Sequence, residues 1–131
     1  MDIHLKIAGS LLIVLALVHF LFPRYFNWRA EFSSLSLVNR QMFYIHCFFI
    51  ALVVFLMGIL CITSAHDLVN TVLGKRISFG LAVFWLARLI IQFLGYSSTL
   101  WRGKALETAV HMLLSLFWLY LTTVFILSYF A

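Results

Sequence analysis

The chain has 131 residues, of which 65% are hydrophobic, 18% aromatic and only 10% charged, with a mean hydropathy of +1.10. So little charge excludes an ordinary water-soluble domain and points to an all-α integral membrane protein of one domain, 1–131. The net charge of +5 falls mostly between the apolar runs, where it reports topology and contact with a lipid bilayer bearing anionic headgroups, not nucleic acid.

Four runs reach the roughly 20 residues that a helix needs to cross about 30 Å of hydrocarbon. They predict helices at about 4–22, 42–63, 77–98 and 106–130. Strands are excluded, because uninterrupted apolar runs lack the alternation of a barrel. The first run ends in "FLFPRYFNW" rather than in a small-residue cleavage site, so it reads as a span and not as a signal peptide. Pro23 is expected to end it. The connection at about 23–41 mixes Tyr25, Phe26, Trp28 and Phe32 with Arg24, Arg29 and Arg40, a composition suited to the headgroup layer. Asn27 is expected to cap a short interfacial helix there, as part of a surface linker or of a lid.

The second run holds both cysteines, Cys47 and Cys61, about 20 Å apart along a helix and therefore too far apart to pair. They read as small buried residues. The connections at about 64–76 and 99–105 are short, so the expected fold is an antiparallel four-helix transmembrane bundle with an interfacial first loop. Arg24, Arg29, Arg40, Arg102 and Lys104 outweigh Lys6, Lys75 and Arg76. The positive-inside rule then gives a multi-pass protein of the cytoplasmic (inner) membrane, its first and third loops cytoplasmic and both termini outside.

Helical spacing predicts an inward face for each run. These faces are Gly9, Leu12, Ala16 and His19; then Met42, His46, Phe49, Val53 and Met57; then Leu81, Trp85, Arg88, Gln92 and Gly95. On the fourth run, Thr108, His111, Ser115, Trp118, Thr122, Phe125 and Tyr129 recur at steps of three and four, and polar residues of membrane helices turn inward. At ~1.5 Å per residue, His19, His46, His111 and Gln92 fall at one depth, a turn or two inside the cytoplasmic end. His4 and His66 read as interfacial residues of the other side.

Arg88 is the costly residue, at ~2.5–3.5 kcal/mol on insertion scales. Asp2, Glu31, Asp67 and Glu107 all fall near helix ends or in loops, so no carboxylate shares its depth. Backbone carbonyls and water, or an anion supplied by a ligand, are the remaining partners. Three ligand readings follow. In the first, haem b is held axially between His46 and His111 on diagonal helices, flanked by Trp85 and Trp118, with Arg88 on a propionate. In the second, a transition-metal ion is bound by His19, His46 and His111, with Glu107 as fourth ligand or general base. The third is a quinone or lipid pocket in which His and Gln bond carbonyl or phosphate oxygens. The leading expectation is a redox-cofactor or metal site and a small oxidoreductase or electron-transfer subunit. The competing one is a non-catalytic accessory or assembly subunit, packed in a homo-oligomer or larger membrane complex. Pro23-Arg24 after the first helix and the helix count resemble the haem-binding membrane-type protoporphyrinogen oxidases, and no family is assigned on those two features.

Overall fold

The computed structural model describes residues 2–25, 27–94 and 105–131, and within these the side chain of Glu107 is not among those described. Every regular element is a helix: α1 (Asp2–His19), α2 (Phe22–Tyr25), α3 (Trp28–Glu31), α4 (Leu37–Thr63), α5 (Ala65–Asn70), α6 (Val72–Leu94) and α7 (Ala105–Phe130). Four of them are long and apolar enough to cross a membrane, over Asp2–His19, Leu37–Thr63, Val72–Leu94 and Thr108–Phe130. Their exposed surface is itself apolar, with Leu94, Leu113 and Phe130 among the large side chains more than 60% open. The chain falls into two compact units, Lys6–Ser64 and a second made of Met1–Leu5 with Ala65–Ala131.

In the Lys6–Ser64 unit, α1 stops at His19, three residues before the expected end. Pro23 explains this, because it has no N–H to give the His19 carbonyl and its ring would strike that carbonyl. The chain leaves through Phe20 N–H to Leu17 O (3.2 Å) and Leu21 N–H to Val18 O (2.9 Å), and Pro23 is taken up inside the one-turn α2. Asn27 does precede α3, but in the left-handed region (φ 53°), and its side chain caps nothing. Its backbone carbonyl accepts from Ala30 and Glu31 instead. Trp28 is then buried among rings, its centroid 5.3 Å from Phe32, 4.9 Å from Phe43 and 5.7 Å from Tyr44. The first connection is thereby fastened to the start of α4. Phe26 lies outside the described residues.

Helix α4 begins at Leu37, five residues earlier than expected, because the Ser36 hydroxyl accepts from Asn39 N–H at 3.2 Å and caps the helix. Its inner face is also not the expected one. Met42, Phe49 and Val53 are 50%, 55% and 46% exposed and His46 is exposed too, whereas Ala51, Val54, Gly58 and Cys61 are buried. Small residues decide this face. A Cβ on Gly58 would sit 2.7 Å from the Gly9 carbonyl oxygen, and one on Gly9 would sit 2.6 Å from that of Gly58. The two backbones therefore touch, which only glycine permits.

In the other unit, α5 and α6 meet at Thr71, where a linker was expected. Its hydroxyl donates to Asp67 O (2.7 Å), ending α5, and accepts from Gly74 N–H (2.9 Å), starting α6 at Val72. A side chain on Gly74 would overlap the Asp67 carbonyl. Buried Ser78 ties the joint further by donating to Leu68 O at 3.3 Å. Helices α6 and α7 pack antiparallel: Gln92 meets His111, Trp85 meets Trp118, Phe79 meets Tyr129 and Lys75 bonds Ala131.

Gly58→Ala should destabilise the chain by roughly 1–3 kcal/mol, since its methyl meets backbone that cannot move aside. Gly80→Ala, with nothing within 4 Å of the new Cβ, should be neutral or stabilise by up to about 1 kcal/mol. Unfolding in detergent–SDS mixtures compares the two, and equal effects would contradict the crossing.

Candidate functional site at the α6–α7 interface

The expected face of α6 is the buried one. Leu81, Trp85 and Gln92 are buried and Arg88 is half-buried. On α7, Ser115, Trp118, Thr122 and Phe125 are buried and Thr108 and His111 half-buried, while Tyr129 at the far end is 37% exposed. Antiparallel packing brings Arg88, Gln92, Trp85, Trp118 and His111 into one cluster. Three hydroxyls on α7 turn inward yet satisfy their own helix: Ser115, Thr122 and Ser128 each donate to the carbonyl four residues back at 2.8 Å.

Gln92 is the hub. Its Oε1 accepts from Arg88 Nη1 (3.2 Å) and from Trp118 Nε1 (3.3 Å), and its Nε2 lies 2.9 Å from His111 Nδ1. Both groups on the oxygen side are obligate donors, which fixes the amide orientation. The amide nitrogen then donates to His111 Nδ1, so the neutral imidazole carries its proton on Nε2. Arg88 also lies over the Trp118 ring, Cζ 5.0 Å from the centroid. A hydrogen bond from a charged donor (~1.5–3 kcal/mol) and a cation–π contact (~0.5–2 kcal/mol) are together of the order of the insertion penalty. The partner that sequence sought outside the chain is thus supplied in part by a glutamine one turn away.

Aromatic rings flank the cluster. Trp85 and Trp118 stack at 5.2 Å with 13° between planes, Phe84 meets Trp85 edge-on at 5.0 Å, and Phe93 meets His111 edge-on at 5.5 Å. Phe93 was not anticipated, although its place one residue beyond Gln92 follows once Gln92 and His111 pair. The indole Nε1 of Trp85 is buried and has no acceptor among the described residues.

The other two expected histidines, His46 and His19, belong to the Lys6–Ser64 unit. His46 is exposed and donates Nδ1–H to Met42 O (2.7 Å), and half-buried His19 does the same to Leu15 O (2.8 Å). Among the described residues there is no group of three or more His, Cys, Asp or Glu placed to hold a metal ion. Within the Lys6–Ser64 unit, α4 packs through Gly58, with Ala51 buried on the same face, and His46 is left exposed. The Nδ1 of His111 is engaged by the Gln92 amide. The side chain of Glu107, with Gly95, Arg102 and Lys104, lies outside the described residues.

Comparison with known proteins found no matching family model, no matching curated protein and no matching solved structure.

Trp118→Phe should cost roughly 1–3 kcal/mol, because it strips Gln92 of one donor inside the interface. Trp85→Phe should cost less than Trp118→Phe, since the cavity left by the smaller ring is offset by removal of a buried donor that has no acceptor among the described residues. Thermal unfolding in detergent reads both, and a larger loss in Trp85→Phe than in Trp118→Phe would contradict the assigned hydrogen bonds.

Proposed function

We propose that this is a multi-pass membrane protein whose α6–α7 interface binds the oxygen-bearing head of an amphiphilic small molecule. In this reading the four long helices form an antiparallel bundle, with the first and third connections cytoplasmic. The ligand is a hydrogen-bond acceptor, either a quinone carbonyl or the carboxylate of an acyl chain. The observation that carries the reading is the Trp85 indole: a donor 2% exposed, in an aromatic wall, without an acceptor among the described residues. Buried donors of this kind cost about 1–3 kcal/mol, a penalty that an incoming oxygen removes. The neighbouring chemistry has the same polarity, since Arg88 and Trp118 are donors only and Gln92 directs the His111 proton to Nε2. Stacked Trp85 and Trp118 offer a flat apolar face suited to a ring or a chain. Haem b and a histidine-bound metal ion draw no support from this donor set, because they need lone pairs where the cluster presents protons.

A second reading is favoured by Gln92 itself. Its three hydrogen bonds join α6 to α7 and would serve an accessory or assembly subunit equally well.

Titration of the purified protein with a short-tailed benzoquinone and, separately, with octanoate distinguishes the readings and the two ligand sources. Binding of either probe, weakened about ten-fold in Trp85→Phe, is the expected result, and Arg88→Gln should abolish octanoate binding while sparing much of the quinone affinity. No binding of either probe to the folded protein favours the assembly reading. A stoichiometric Soret band lost in His111→Ala would overturn both.

A further inference from the structure

We propose that the first connection is a pre-organised clamp for anionic phospholipid headgroups. The inference rests on the membrane placement proposed above but not on the α6–α7 ligand site. Between Phe20 and Gln41 the chain carries three arginines, Arg24, Arg29 and Arg40, against a single acid, Glu31. Among the described residues none of these guanidinium groups has a hydrogen-bond or ion-pair partner, Glu31 included. Arg24 and Arg29 are exposed, one on each of two one-turn helices, and Arg40 is half-buried in the first turn of α4.

What separates this segment from a loose basic linker is how it is held. Trp28 is driven into a ring cluster with Phe43 and Tyr44 of α4, and Phe32 closes it at 4.7 Å from Phe43 and 6.1 Å from Tyr44. α3 is therefore pinned to the beginning of a helix long enough to span the bilayer, and Arg29 stands beside the pin. Tyr25, 74% exposed, and Leu21, 60% exposed, flank Arg24 with apolar surface. Since Leu21 and Leu37 bracket the turn between two spans, these side chains sit where hydrocarbon gives way to headgroups. Unpaired guanidinium groups carried at that level, Arg29 on the pinned α3, match phosphate in charge and in donor geometry. Fixing them in advance removes part of the ordering cost of binding.

The test uses the full chain in phosphatidylcholine vesicles doped with spin-labelled phosphatidylglycerol or spin-labelled phosphatidylcholine, comparing the fraction of each lipid immobilised by the protein. The wild type should prefer phosphatidylglycerol, and Arg24→Gln and Arg29→Gln should each lower the preference up to about five-fold. Lysine at both positions should restore most of it, and Arg76→Gln should leave it unchanged. Trp28→Ala keeps every charge yet should also lower the preference, because the pin is lost. Equal immobilisation of the two lipids by vesicle-bound wild type would overturn the clamp, and so would an undiminished preference in Arg24→Gln/Arg29→Gln or in Trp28→Ala. Failure of the protein to float with the vesicles would overturn the membrane placement instead.

Discussion

A guanidinium cannot shed its charge, so a helix as apolar as α6 can hold Arg88 only if its neighbours accept the consequences. Gln92, one turn on, supplies an acceptor for Arg88, and the Trp118 ring lies under the cation. Because the same oxygen also accepts from Trp118 Nε1, the amide has one orientation, and its nitrogen must face His111. One half-buried cation thus bears on the orientation of a glutamine, on the histidine that glutamine meets and on the pairing of α6 with α7. The Trp85–Trp118 stack then extends the contact toward the other end of the pair.

The same constraint shapes the functional reading. A site organised by an arginine is crowded with donors, and the Trp85 indole adds another inside the wall with no acceptor to meet it. Such an interior suits a ligand that arrives with oxygen lone pairs and an apolar body. The histidines of the Lys6–Ser64 unit are bonded differently: His19 and His46 donate through Nδ1 to a carbonyl of their own helix. The histidines thus differ in their hydrogen-bond partners, which the sequence does not reveal.

The sequence was most legible where polar residues mark a face. On α6 and α7 the recurrence of Arg88, Gln92, His111, Ser115 and Trp118 identified the buried side, because a polar group in an apolar helix has one low-energy direction. On α4 the polar marker misleads, since His46 is exposed. Its interior side carries the small residues Ala51, Val54, Gly58 and Cys61, with Gly58 against Gly9, while Phe49 is exposed like His46. The early starts of α4 and α6 were missed for a related reason. Hydropathy reports where a helix is apolar, whereas Ser36 and Thr71 begin these helices in polar sequence ahead of the apolar run.

The most direct measurement is of the tryptophan indoles themselves. In protein labelled with 15N-tryptophan and stripped of lipid, the Trp118 Nε1–H should behave as a bonded donor and the Trp85 Nε1–H as an unbonded one, each assigned through its Trp→Phe variant. Adding a short-tailed benzoquinone or octanoate should move the Trp85 signal downfield and slow its exchange with water, with the Trp118 signal almost still. A Trp85 signal that stays in place at saturating concentrations of both compounds, in protein that remains folded, would contradict the account.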